Sequence, residues 1–315
     1  MNLHLNKQLF AETIRATSQT FKINSVFIEK DYWITLVLSQ LSQSSFCNRV
    51  VFKGGTSLSK AYNIINRFSE DVDIALIDES LASGNEIKNI IRSVEKEMTR
   101  NLQETIIEGV TSKGSRFRKS VFEYQSIDAR NASNKLIVEV NSFANPFPFE
   151  TRTIKSFVHD FLLQTGNNAF ITEYNLQPFD LQILHIQQTL LEKLISLIRF
   201  SFDANPIQSV ASKIRHFYDI YFILMNPECL QFIKSNEFIV RCNEIFEHDK
   251  QVFDVPKDWN SKEIQDSPLC SNFEMMWNQL KDTYSRELSA LAYNQIPNER
   301  DVAAKFEILL AAIKK

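Results

Sequence analysis

The chain has 315 residues, a net charge of −3 and a sequence pI near 6.0, enough length for one large domain or two ordinary ones and too little positive charge for a surface that binds nucleic acid indiscriminately. Only six residues are glycine and eight are proline, against about 22 glycines at average usage. With 44% hydrophobic residues, 23% charged residues and 25 phenylalanines, the composition excludes collagen-like, low-complexity and linker-dominated chains and describes a compact, helix-heavy globular protein.

Apolar residues at helical spacing predict helices at about 7 to 20 and 25 to 43, the second carrying Phe27, Tyr32, Leu36, Val37 and Leu41. A strand is expected at 49 to 53, ending at Gly54-Gly55, and a helix follows through SLSKAYNIIN. DVDIALI at 71 to 77 reads as a second strand, KLIVEVNSF at 135 to 143 as another, and VFEYQS at 121 to 126 as a fourth. From about 180 the pattern changes to long helices, LQILHIQQTLLEKLISLIRF and ASKIRHFYDIYFIL, with more at 272 to 292 and 300 to 314. The expected fold class is therefore α+β, a mixed sheet with flanking helices over residues 1–175 and an all-α part over 176–315.

Cys47, Cys229, Cys242 and Cys270 lie far apart with no metal-ligand spacing, so a reducing compartment is expected. No apolar stretch follows the charged residues of the N-terminus, and runs such as TLVL and ILLAAI are too short to cross a bilayer. A cytoplasmic protein without a membrane partner is the expectation.

A backbone that leaves a strand through Gly54-Gly55 and enters a helix turns its first N–H groups outward, an arrangement suited to phosphate. Thr56 and Ser57 add hydroxyl donors, or one of them caps the helix. An ordinary capped turn is the alternative. Asp71 and Asp73 share one face of the next strand, so their carboxylates converge where Mg²⁺ would relieve the repulsion, unless they form a solvated strand end. Glu139, among Ile137, Val138 and Val140, is the candidate third ligand of a two-metal site, or else an edge-strand acid facing water.

FKGGTSLSKAY followed by RFSEDVDIAL resembles the signature of the AbiEii/AbiGii toxin family of nucleotidyltransferases, a branch of the polymerase-β-like superfamily related to the MenT toxins. EKDYW at 29 to 33, QTLLEKLISLIRFS at 188 to 201 and RHFYDIY at 215 to 221 resemble further blocks of that family in the same order. The resemblance covers most of residues 25 to 225. It implies that Gly54, Gly55, Thr56 and Ser57 bind a nucleoside triphosphate, that Asp71 and Asp73 hold the metals, that Lys193 contacts the triphosphate, that Asp219 belongs to the site, and that the helical part completes it. It also implies the toxin of a type IV toxin–antitoxin or abortive-infection (phage-defence) system, with RNA, at the tRNA acceptor end, as acceptor and an AbiEi-type antitoxin as partner. Where some members carry a second acid this chain has Phe222, and where some carry an arginine it has Gln188.

The helix at 181 to 200 is apolar over most of its circumference, so Lys193 on its narrow polar strip needs an anion, either a triphosphate or an internal carboxylate. Arg199 is a similar candidate for the nucleotide. Arg215 and Asp219, at i and i+4, could instead be an ordinary surface pair. Glu29, Lys30 and Asp31 are expected beside the sheet, and Arg67 is a phosphate ligand or a structural arginine. SKGSRFRKS at 112 to 120 is a basic loop for RNA phosphates or a solvated hairpin. The leading reading is Mg²⁺-dependent transfer of an NMP from an NTP to an acceptor hydroxyl. The alternatives are a non-catalytic nucleotide- or RNA-binding regulator, and transfer to a protein or a small molecule.

Overall fold

The computed structural model describes residues 1–69, 71–77, 84–128 and 134–314. Glu70, inside the second motif, lies outside them. The chain divides into two compact units, Met1–Asn63 with Phe68–Leu184, and Ile64–Arg67 with His185–Lys315.

The first unit is built on one mixed sheet. In chain order it contains α1 (Lys7–Phe21), α2 (Ser25–Ser42), β1 (Val50–Lys53), α3 (Gly54–Lys60), β2 (Asp71–Leu76), α4 (Gly84–Met98), β3 (Gln103–Thr105), β4 (Ser112–Lys113), β5 (Phe117–Glu123), β6 (Lys135–Asn141), β7 (Phe149–Ile154), α5 (Phe157–Gln164), α6 (Asn168–Glu173) and β8 (Phe179–Leu184). The strand order is β3-β5-β6-β2-β1-β8-β7, with β4 on β5. β2 runs parallel to β6 and β1 parallel to β8, while β1 and β2 are antiparallel.

Alternation along the strands decides which face carries the core. Val50 and Phe52, Val72, Ile74 and Leu76, and Leu136, Val138 and Val140 are buried together with Val37, Leu38 and Leu41 of α2 and Ile87, Ile91, Val94 and Met98 of α4. The alternate residues of these strands, among them Lys53, Asp71, Asp73 and Glu139, therefore point to the other face.

The Glu-Lys-Asp block of α2 is buried throughout and serves as a bracket. Asp31 takes the Lys60 ammonium of α3 at 2.6 Å on Oδ1 and the Phe157 amide of α5 at 2.9 Å on Oδ2. Lys60 also donates to the Lys155 carbonyl at 2.5 Å. Glu29 accepts from the Ser126 hydroxyl and the Ile127 amide, both at 2.8 Å, at the end of β5. Burial raises its pKa, against the pull of those two donors.

The second unit is helical: α7 (Ile186–Ser201), α8 (Pro206–Ala211), α9 (Arg215–Ile223), α10 (Pro227–Phe232), α11 (Asn236–Val252), α12 (Pro268–Ser271), α13 (Phe273–Leu291) and α14 (Glu299–Ile313). Much of its core is aromatic. Phe217 of α9 lies 5.1 Å from Trp277 of α13 and 4.7 Å from Phe306 of α14 between ring centres, and Phe273 lies 4.9 Å from Phe306. The last 90 residues thus supply aromatic packing to this core.

Two expectations are corrected. LQIL is not the start of a helix but the end of β8, because it pairs with β1 and β7, and the helix starts after His185. A short apolar run has no periodicity that separates the two states. The main part of the first unit accordingly runs to Leu184. SLSKAYNIIN is helical only to Lys60, and Asn63 adopts a positive φ of 54°. Among the described residues, three of the five non-glycine positions at positive φ are asparagines, which substitute for the scarce glycine at such turns. All four cysteines are free, and among the described residues no helix is long and apolar enough to cross a membrane.

Breaking the Asp31–Lys60 pair from one side strands a buried charge, which costs about 3–5 kcal/mol. Asp31→Leu is expected to destabilise the protein by about that amount in urea unfolding, and Asp31→Leu with Lys60→Met by clearly less. Equal losses in the two variants would remove the ion pair as the reason.

Candidate active site

The site of the first unit is a row of charges across four adjacent strands. Lys53 of β1 is in register with Asp73 of β2, Asp73 with Glu139 of β6, and Glu139 with Lys119 of β5. Paired residues of neighbouring strands project to the same side, so the row reads plus, minus, minus, plus on the face away from the core. Asp71, two residues before Asp73, joins it on that face. The strand alternation and the third strand expected from the sequence are both present. The two lysines that close the row are not among the expected residues, because register across strands is not encoded in local sequence. Lys53, adjoining the glycines in VVFKGG, was within reach of the alternation rule.

Glu139 is tied to Lys119 at 3.7 Å. Burial raises its pKa, Lys119 and Lys53 pull it back, and Asp71 adds to the rise, so the carboxyl titrates above its ordinary value. Among the described residues no three His, Cys, Asp or Glu side chains are drawn together closely enough to enclose a metal ion. Glu139, in register with Asp73, is engaged by Lys119. Two half-buried hard carboxylates on one face of β2 fit a divalent cation that completes its shell with water and substrate oxygens.

Gly54 has a φ of +80°, and a β-carbon there would overlap Oδ2 of Asp73. The backbone of the turn thus lies directly against the carboxylate, and only glycine permits this approach. The two hydroxyls that follow are not offered to a ligand. Thr56 and Ser57 are buried, Thr56 donating to the Asp71 carbonyl and Ser57 to the Gly54 carbonyl at 2.9 Å. In this arrangement they brace the turn against β2. No side chain caps the start of α3.

The second unit holds its own ionic cluster. Asp219 of α9 is fully buried and receives Arg67 twice, Nε to Oδ1 at 2.7 Å and Nη2 to Oδ2 at 2.6 Å, with Lys193 of α7 at 2.8 Å. Burial alone would raise the Asp219 pKa, but the two cations outweigh it and hold the carboxyl far below the ordinary range. Lys193 thus finds the internal carboxylate that the sequence left open, Arg67 is its structural partner, and Arg215 is not the residue that pairs with Asp219. His216, one turn earlier, is pushed well below the usual histidine value by burial and by Lys193.

Arg199, expected at the nucleotide, lies with its guanidinium 3.8 Å from the Phe253 ring centre and 5.7 Å from that of Trp259, so its charge is met by aromatic faces. Gln188 is buried and accepts from Arg241 at 2.8 Å. The basic 112–120 stretch is a β4–β5 hairpin rather than a free loop: Lys113 pairs with Glu104 at 2.6 Å, Arg118 with Glu95 at 2.6 Å, and Lys119 with Glu139.

A family model described as nucleotidyl transferase AbiEii toxin, type IV TA system, matches residues 36–308. Among solved structures the chain is similar to MenT4, a nucleotidyltransferase toxin from Mycobacterium tuberculosis H37Rv, at 16% identity and a TM-score of 0.46, over 95% of this chain and 98% of that one. No curated protein matches it in sequence.

Gly54→Ala is expected to displace the Asp73 carboxylate and to lower stability by about 1–2 kcal/mol through the left-handed backbone, with a folded circular-dichroism spectrum. An unchanged Asp73 position and unchanged stability would make the turn ordinary. A depressed Asp219 pKa contributes stability that is complete above the unfolded aspartate value and is lost as pH falls below it. Asp219→Asn is therefore expected to cost several kcal/mol at pH 7 and to flatten the acid limb of the stability–pH curve. A wild-type acid limb retained by the variant would exclude this cluster as its source.

Proposed function

The chain belongs to the nucleotidyltransferase AbiEii toxin family of type IV toxin–antitoxin systems, and on that premise we propose that it transfers an NMP from an NTP to an RNA hydroxyl in a Mg²⁺-dependent reaction, with a tRNA acceptor end as the acceptor. The observation that carries the reading is the pair Asp71 and Asp73 on one face of β2, with the Gly54 backbone pressed against Asp73.

In this reading Asp71 and Asp73 hold Mg²⁺ through hard oxygens, and Glu139 supports them from the next strand. Bound there, Mg²⁺ would lower the pKa of the attacking hydroxyl and offset charge on the departing pyrophosphate. The chain's own part is positioning. The Gly54–Ser57 turn brings uncapped backbone amides to the phosphates, since both hydroxyls are spent on the turn itself. Lys53 and Lys119, at the ends of the row, limit carboxylate repulsion. Glu139, with its raised pKa, is the carboxyl of the row best suited to take the hydroxyl proton. Asp219 orients Lys193 and Arg67. We assign Lys193 to the triphosphate only through the family likeness, and leave Arg199 out of the nucleotide set because aromatic rings already hold it.

A type IV system implies an antitoxin partner, and an AbiEi-type protein is our expectation for it. Incubating the protein with each labelled NTP, Mg²⁺ and total RNA should place label on RNA, and Asp71→Ala should abolish it by at least 10²-fold. Label surviving RNase but lost to protease would move the acceptor to protein. NTP binding without turnover would make the chain a regulator. Equal transfer by Asp71→Ala would refute the assignment.

A further inference from the structure

Helix α4 carries three cations that the proposed chemistry does not use. Lys88, Arg92 and Lys96 follow one another at i, i+4 and i+8, and all three are exposed. None has an ion-pair partner among the described residues. Each step of four residues advances about 6 Å along the helix axis, comparable to the separation of consecutive phosphates along a nucleic-acid strand. Beside Arg92 and Lys96, Arg118 of β5 completes a cleft of about 420 Å³ whose other lining residues are Asn89, Ser93 and Glu95.

Glu95 is buried and receives the Arg118 guanidinium on one oxygen, at 2.7 Å from Nε and 2.6 Å from Nη2. It fixes Arg118 in place and neutralises its charge, so the exposed cations of the stripe are Lys88, Arg92 and Lys96, while Glu97 of the same helix is taken by Arg100. Such a concentration does not follow from composition. It creates a local field that attracts polyanions.

The lining also selects the kind of polyanion. Every residue of the cleft is polar or charged, whereas protein partners are usually gripped by aromatic and apolar anchors. A regular row of exposed cations without an apolar anchor is the footprint of a phosphodiester backbone.

The stripe is remote from the carboxylates. α4 packs on the core face of the sheet through Ile87, Ile91, Val94 and Met98, and Asp71, Asp73 and Glu139 point to the opposite face. Resting on the RNA-acceptor reading above, we propose that Lys88, Arg92, Lys96 and Arg118 bind the backbone of the acceptor RNA at a distance from its reacting hydroxyl. The surface would favour long, structured RNA over a short acceptor fragment.

The test uses the full chain with Lys88→Gln, Arg92→Gln and Lys96→Gln combined, and Arg92→Gln alone as a milder variant. Binding of end-labelled total tRNA is measured by anisotropy across a salt series, beside polyglutamate of matched charge. The triple variant is expected to bind tRNA about 10-fold more weakly at 0.1 M salt, with a log–log salt slope smaller by about 2 to 3. Its thermal midpoint should be unchanged. In the transfer assay KM for tRNA should rise while kcat and the KM for a short acceptor fragment stay constant, a split that a merely structural role would not produce. Equal tRNA affinity and slope in variant and wild type would overturn the proposal while leaving the RNA acceptor intact. Loss of polyglutamate binding alone would reassign the surface to an acidic protein. Wild-type protein that ignores tRNA but labels another acceptor would overturn the acceptor reading and this surface together.

Discussion

Carboxylates crowded on one face of a sheet repel one another, and the first unit is arranged around that repulsion. Asp73 and Glu139 are register partners on adjacent parallel strands, with Asp71 on the same side. Two charges about 5 Å apart at a partly exposed site interact by about 3 kcal/mol, a large fraction of a domain's net stability. The structure meets this with lysines in the same row, Lys53 beside Asp73 and Lys119 beside Glu139, and with the raised pKa of Glu139. What remains is a half-buried carboxylate pair on one face of β2, whose residual repulsion a cation would relieve.

The legible parts of the fold were those fixed by local pattern. Alternation in DVDIALI and LIVEV gave the faces of β2 and β6, because period-two burial is written in consecutive residues. The glycine turn was legible because a chain with six glycines does not place two together by habit. Illegible were the facts that depend on pairing: that Lys119 would stand beside Glu139, that Asp31 would meet Lys60 across 29 positions, and that LQIL would join β1 instead of the following helix. Lys193 illustrates the intermediate case. Its need for an anion followed from the apolar helix around it, but not which anion, and the structure supplies Asp219.

The two units handle buried charge differently. In the second, both carboxylate oxygens of Asp219 are met by Arg67 and Lys193, and Arg199 lies against aromatic faces with Asp249 nearby. Buried ion pairs add little net stability over apolar packing, but they penalise any arrangement that leaves one member alone. Such clusters define position more than they add strength. The aromatic packing of Phe217, Trp277 and Phe306 supplies the cohesion.

The short segment Ile64–Arg67 belongs to the helical unit although it lies between α3 and β2 of the other. No single cut in the chain can therefore separate the two units, and a domain exchanged at Leu184 alone would carry Arg67 away from its counter-ion. Synthesis runs into the same arrangement: Arg67 is made 152 residues before Asp219. A nascent chain that has completed the whole sheet still holds a guanidinium whose native acceptor does not yet exist, so the finished form of this toxin-family protein waits on the last third of its own translation.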